Sequence, residues 1–287
     1  MVRPFSPKDC GDTDWNEVWK ARQDRYDAAQ IVGDTSHDWD KKENANRYAA
    51  QSAGEFEKRI RMTIDGLAVS RTTRVLDIGS GPGTLAIPLA AKVREVTAVE
   101  PGAGMIATLR DRAENEGITN ITCIRKRWED VDPTRDLAGP YDLVIASLSL
   151  TMHDIRKAVQ TMDEVSCGEV CLYWFVDLPF WERMYADLSL PLHGSPYYPG
   201  PKADCLWNVL YQTGIYANIE MLLLDKEYRF PSNEELTEFF RRRFGVTTKK
   251  QERVLDAYLS SLVRHKGDEV VISGNSTFAK IWWKKTA

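Results

Sequence analysis

Val75-Leu76-Asp77-Ile78-Gly79-Ser80-Gly81-Pro82-Gly83-Thr84 decides the reading of this chain. A short apolar run ends in an aspartate, and three glycines follow at alternate positions. Leu85-Ala86-Ile87-Pro88-Leu89-Ala90 then begins an apolar helical pattern. Strand, tight turn and helix in this order leave bare backbone where a ligand must come close. A dinucleotide fingerprint asks for glycine at the position of Thr84, and its pyrophosphate would face the Asp77 carboxylate. The combination points instead to a cationic cofactor without a pyrophosphate, and S-adenosylmethionine fits. Asp77 favours its ammonium, and backbone N–H groups near the helix start can meet its carboxylate.

Outward from this turn the chain alternates. Strands are predicted at 74–78, 95–99, 121–125, 141–147 and 169–176, with helices at 84–93, 104–116 and 155–165 between them. Near-continuous apolar strands separated by helices imply a parallel sheet covered on both faces. Pro88 removes a hydrogen bond inside the first of these helices, so a kink or an irregular first turn is expected there. Glu100 ends the second strand, 23 residues after Asp77, and an acid at that spacing can accept from both ribose hydroxyls. Met105 can pack on an adenine face, and Trp128-Glu129 follows the third strand. The fourth ends at Ser147-Leu148, where the chain passes the reacting group.

These four segments, 75–83, 96–105, 128–130 and 141–147, resemble in order and spacing the class I S-adenosylmethionine-dependent methyltransferases. The resemblance implies an α/β fold with a doubly wound, seven-stranded sheet whose last strand, 276–283, inserts antiparallel. It implies that Asp77, Gly79, Ser80, Gly81, Gly83 and Thr84 cradle the methionine part of the cofactor. Glu100 and Pro101 then serve the ribose, Met105, Trp128 and Glu129 the adenine, and Ser147, Leu148 and Tyr48 the remaining wall. The Asn-Pro-Pro-Tyr motif of base-methylating members is replaced by Ser147-Leu148-Ser149-Leu150, which disfavours a nucleobase amine as acceptor.

Two regions stand outside this pattern. Residues 1–66 are polar, with aromatics at Trp15, Trp19, Tyr26, Trp39, Tyr48 and Phe56, and two helices are predicted at about 13–31 and 41–68 around a loop at Gly33-Asp34-Thr35-Ser36. Residues 177–217 carry five prolines and many aromatics and read as an insertion in the domain 67–287, helical at 180–188 and 203–213. Both regions are expected to roof an acceptor pocket. Trp19, Tyr26, Tyr197 and Tyr198 are the candidate acceptor contacts. His153 and Asp154, just after the fourth strand, are the candidate base, with His193 as another; each also reads as an ordinary loop or cap residue. Beyond the insertion, a strand is predicted at 219–224 and helices at 233–243 and 250–264.

The 287 residues carry a formal net charge of -4, which argues against a protein that tracks a phosphate backbone. Arg241-Arg242-Arg243 and Lys249-Lys250 read as a solvated helix end with favourable dipole placement. No apolar run is long enough to span a bilayer, and Met1 to Trp15 lacks a signal-peptide core, so a cytoplasmic protein is expected. Cys10, Cys123, Cys167, Cys171 and Cys205 form no Cys-x-x-Cys pair, which suggests reduced thiols and no structural metal. A small-molecule acceptor is the leading expectation, ahead of a protein or RNA acceptor. A non-catalytic cofactor-binding regulator and a nicotinamide oxidoreductase remain as alternatives.

Overall fold

The computed structural model describes residues 13–29, 38–55 and 57–285. The predicted loop at Gly33–Ser36, Phe56 and Cys10 lie outside them. The chain opens with α1 (Trp15–Ala28), α2 (Lys42–Glu55) and α3 (Glu57–Asp65), then enters β1 (Arg74–Ile78), α4 (Ala86–Ala90), β2 (Glu95–Val99), α5 (Ala103–Asn115) and β3 (Ile121–Ile124). It continues through α6 (Pro133–Asp136), β4 (Tyr141–Ser147), α7 (Ile155–Val165) and β5 (Ser166–Phe175). The C-terminal third holds α8 (Phe180–His193), α9 (Ala203–Gln212), β6 (Asn218–Phe230), α10 (Asn233–Arg243), α11 (Lys249–Leu262), β7 (Arg264–Lys266) and β8 (Glu269–Lys284).

The sheet runs β3-β2-β1-β4-β5-β8-β6, with the short β7 paired to β8. The first five strands are mutually parallel, and β8 lies antiparallel between β5 and β6. Seven strands thus form the expected doubly wound sheet, and β7 is an addition. Strand order reverses between β1 and β4, which puts the carboxyl end of β1 at the topological switch point, where such sheets bind ligands. Pro88 sits in the middle of α4, which is only five residues long and preceded by turns. The expected helix of 84–93 is shortened accordingly.

Three buried clusters hold the molecule together. One sheet face packs on α1, α7 and α9 around Trp19, Leu76, Val144, Ile155, Leu206 and Ile281. The other packs on α3 and α4 around Ile64, Val75, Leu89, Ile145 and Phe278. The third lies where β6 and β8 run on as a long antiparallel pair beyond the parallel strands, enclosed by α8, α10 and α11 around Phe180, Leu188, Phe240, Leu255 and Ile272. This arm departs from the expected short strands at 219–224 and 276–283. Gly274 marks its tightest approach, since a Cβ there would stand 2.1 Å from the Phe180 ring.

The insertion is fixed by a buried ion pair. Lys202 Nζ lies 2.7 and 3.0 Å from the two Glu182 oxygens, and both residues are only 9% exposed. Removing one partner strands the other charge in a poorly solvated site, so Lys202→Ala is expected to cost about 3 kcal/mol. The paired replacement Lys202→Met with Glu182→Leu should recover most of that loss in a urea melt.

Candidate functional site

A cleft of 1550 Å³ opens over the carboxyl ends of β1, β2 and β4. Alternation along each strand carries Asp77, Glu100 and Ser147 to the same sheet face, in the lateral order Glu100, Asp77, Ser147 set by β2-β1-β4. All three side chains line the cleft at its floor.

Asp77 is 2% exposed, and its Oδ2 has no hydrogen-bond partner among the described residues. Burial, and then the Glu100 charge, push its pKa up to about 7, while the Arg59 guanidinium pulls the other way. Glu100 is 6% exposed and is also raised by burial, against two backbone hydrogen bonds that favour its charge. Those bonds come from Gly102 N at 2.8 Å and Gly81 N at 3.0 Å. Two acids held this close in a buried floor are costly for the fold alone, and their charge suits a cationic or hydroxyl-bearing ligand.

The glycines divide by role. Gly79 has φ +69°, and a Cβ there would stand 2.3 Å from Ser149 Cβ. Its bareness serves the turn after β4, whose Ser149 hydroxyl donates to Ile78 O at 2.6 Å. Gly81, at φ +54°, has nothing within 4 Å of its Cβ position, so a side chain there would project into the open cleft. Gly83 does not line the cleft; its Cβ position falls against Ile87 and Leu109, and it serves helix packing. Ser80 Oγ and Thr84 Oγ1 line the floor, buried and without partners among the described residues.

The remaining wall is mixed. Tyr48, Pro101, Met105, Trp128, Glu129, Ser147 and Leu148 all border the cleft. Trp128 is mainly a core residue, with Nε1 donating to Ala158 O at 3.1 Å and one edge left to the cleft. Leu148 adopts φ +57°, a strained conformation for a branched residue, where the chain leaves β4 for the cleft wall.

Other expected residues fall elsewhere. His153 is exposed and pairs with Asp24 at 2.9 Å on the surface. Asp154 caps α7, accepting from Lys157 N at 3.0 Å and from Asn16 Nδ2 at 3.1 Å. Neither borders the cleft, because the chain turns away at Met152, whose carbonyl accepts from Trp19 Nε1. Trp19 is fully buried beside Trp174, far from any acceptor role. Tyr26 and Tyr197 meet edge to face at 6.3 Å, Tyr197 also stacks on Tyr185, and Tyr198 is exposed. His193 bonds Phe244 O at 2.9 Å. None of these four lines the cleft. His153→Ala is therefore expected to leave turnover within about threefold of wild type. Asp154→Ala should cost about 1 kcal/mol of stability in a denaturant melt, as a lost N-cap.

The roof comes from places the sequence did not mark. Of the insertion, Trp181 alone reaches the cleft among the described residues. The opposite wall is Leu224, Lys226 and Phe230 of β6, the α10 face with Glu234, Glu238 and Phe239, and the turn to Thr247. Arg241, Arg242 and Arg243 border the cleft rather than only solvent. From the N-terminal region, α2 and α3 contribute Arg47 and Arg59, while α1 braces α7 and α9 on the far face. Arg59 occupies a buried-face position of α3 in register with Thr63, a spacing that was the one sequence signal for it.

Comparison with known proteins bears on this geometry. Residues 75–166 match the methyltransferase domain family. An uncharacterized protein of Haemophilus influenzae is 27% identical over 247 residues, covering 85% of this chain and 88% of its own. The 23S rRNA (uracil(1939)-C(5))-methyltransferase RlmD of Pseudomonas fluorescens is 30% identical over 158 residues, covering 48% of this chain. The chain spans only 35% of the length of that relative. The YcgJ protein of Bacillus subtilis superposes with a TM-score of 0.54 at 16% identity, over 79% of this chain and 98% of that one. Its likeness is one of fold. With a methyltransferase-domain match laid over β1 to the start of β5, and the strand order and acid-lined glycine turn in place, residues 75–166 form a methyltransferase domain of the class I, S-adenosylmethionine-dependent type.

Proposed function

We propose that this methyltransferase acts on a small-molecule acceptor, bound in the same cleft as the donor. The observation that carries the reading is the cleft's size and two-sided lining. At 1550 Å³ it exceeds the roughly 300–1,000 Å³ of a pocket for one ligand. One half is the polar floor of β1, β2 and β4. The other sets Phe175, Trp181, Leu224, Phe230 and Phe239 among the charged groups Lys226, Glu234, Glu238 and the three arginines of α10.

The unpartnered Asp77 oxygen, the open place above Gly81 and the Glu100 carboxylate fit S-adenosylmethionine. When bound, that cofactor supplies an electrophilic methyl group. Asp77 would hold its ammonium and Glu100 its ribose hydroxyls. Met105 and Trp128 would border its adenine, with Glu129 beside them. The protein's task is alignment and exclusion of water. Phe230, Phe239 and Trp181 serve the second of these by closing the side opposite the floor.

Among the described residues no histidine and no cysteine lines the cleft. Methylation at C5 of uracil needs a nucleophile added to the ring, commonly a thiolate. The lining therefore lends no support to the RlmD acceptor for this chain. It suits an acceptor that is nucleophilic as it arrives. Incubation with methyl-labelled S-adenosylmethionine and a metabolite extract, followed by size separation, tests the reading. Label in the small-molecule fraction is expected; label confined to RNA or protein contradicts it.

A further inference from the structure

β6 ends the sheet, and its outer edge meets no other strand among the described residues. A bare edge offers a row of unpaired N–H and C=O groups to any extended chain, and proteins ordinarily blunt it. The opposite edge follows that rule, since β3 is only four residues long. β6 does not. It runs for 13 residues, from Asn218 to Phe230, with neither proline nor glycine. Its register with β8 is unbroken over that whole length, so no bulge twists the edge away.

The side chains make this edge adhesive. Met221 and Leu223 are 58% and 55% exposed, and alternation puts both on one sheet face. Leu222 and Leu224 turn to the other face, against the cluster around Ile64 and Val75. From Ile219 to Leu224 the one charge is Glu220, and Asp225-Lys226-Glu227 follows. Lys226 Nζ lies 4.5 Å over the Tyr228 ring, on the face that Glu220 shares by alternation.

This order of charges selects the occupant. An antiparallel copy can be laid beside the strand about a two-fold axis through Leu223. Glu220 of each protomer then faces the partner's Lys226, twice by symmetry, and Leu222 faces the partner's Leu224. Leu223 meets its own copy, and Met221 lies diagonal to the partner's Leu223. Two acids fall opposite apolar residues, Asp225 at Met221 and Glu227 at Ile219. Each already has a cation in its own chain, with Lys58 4.0 Å from Asp225 and Lys266 2.5 Å from Glu227. Moving the axis by one residue sets Glu220 against Leu224, or Lys226 against Leu222, and the charge match is lost.

We propose that β6 is the contact between two copies of this chain, joined edge to edge into one continuous sheet. The pairing is independent of what the cleft binds. It braces the cleft wall, because Leu224, Lys226 and Phe230 of the same strand line the cleft.

Sedimentation equilibrium of the full chain, from about 1 to 200 μM, tests the proposal. Wild type should approach twice the 32.7 kDa mass of one chain. Its dissociation constant should be about 1–100 μM, as suits a small strand-edge interface. Leu223→Lys brings two ammonium groups together at the axis and should weaken the pair by about tenfold or more. Glu220→Lys should also weaken it by about tenfold, and adding Lys226→Glu should restore the wild-type constant to within about threefold. Circular dichroism checks that each variant is folded, and if Leu223→Lys is not, Glu220→Lys and its charge swap carry the test. The proposal is overturned if wild type is monomeric at about 200 μM, if a folded single variant keeps the wild-type constant, or if the swap fails to restore association.

Discussion

Asp77→Asn should weaken S-adenosylhomocysteine binding by about a hundredfold while making the ligand-free protein more stable above pH 7. The two effects have one cause. Asp77 is buried beside Glu100, and its pKa rises to about 7 from an ordinary 3.8. The folded protein therefore holds a proton that the unfolded chain has released between those values. Stability falls as pH rises through that window, and above it the folded state carries the full cost of a buried charge. Asparagine removes that cost, of order 1–4 kcal/mol. The donor's ammonium needs the charged form, so wild-type affinity should climb as pH rises through about 7. In Asp77→Asn that climb disappears. Melting curves and titrations at pH 5.5 and 8.5 check both signs. A variant that gains no stability at pH 8.5 and still binds the ligand would contradict the assignment.

The two alanine substitutions in the glycine turn are expected to separate folding from binding. Gly79→Ala meets a left-handed φ and a Cβ position 2.3 Å from Ser149. Strain of about 1 kcal/mol adds to overpacking of about 1–3 kcal/mol. The melting temperature should fall by roughly 6–12 °C. Gly81→Ala carries the strain alone, since its Cβ position is empty within 4 Å. Its methyl group, however, stands in the cleft beside the Gly81 N–H that bonds Glu100. Gly81→Ala should melt within a few degrees of wild type, at about 1 kcal/mol of strain. It should lose about tenfold or more in ligand affinity. Equal damage to both properties in both variants would remove the distinction.

The parts of the fold that were legible are those written in local sequence. β4, α7 and α10 match their predicted bounds, because apolar periodicity and the Asp154 and Ser232 caps mark them directly. Trp283 enters the core and Trp282 covers the opposite face, as strand alternation demands. The outer half of the antiparallel β6 and β8 pair was hidden. Asp225-Lys226-Glu227 and Ser273-Gly274-Asn275 lie just outside the predicted strands 219–224 and 276–283, and the packing of α8, α10 and α11 accompanies their pairing as strand.

The site divides in the same way. Asp77, Glu100 and the glycines stand at strand ends, where topology fixes a residue's surroundings almost from its position alone. His153 and Asp154 follow β4 closely in sequence, yet one buried hydrogen bond from Trp19 turns the chain away before them. Arg59, Phe230, Phe239 and the three arginines of α10 reach the cleft only through tertiary packing, which no short motif encodes.

The central claim is that the acid-lined glycine turn takes S-adenosylmethionine rather than a dinucleotide. Calorimetric titration of the wild-type chain with S-adenosylhomocysteine and, separately, with NADH tests it most directly. The account predicts saturable binding of S-adenosylhomocysteine at one site per chain and no measurable heat from NADH. Tight NADH binding, with S-adenosylhomocysteine unable to displace it, would contradict it.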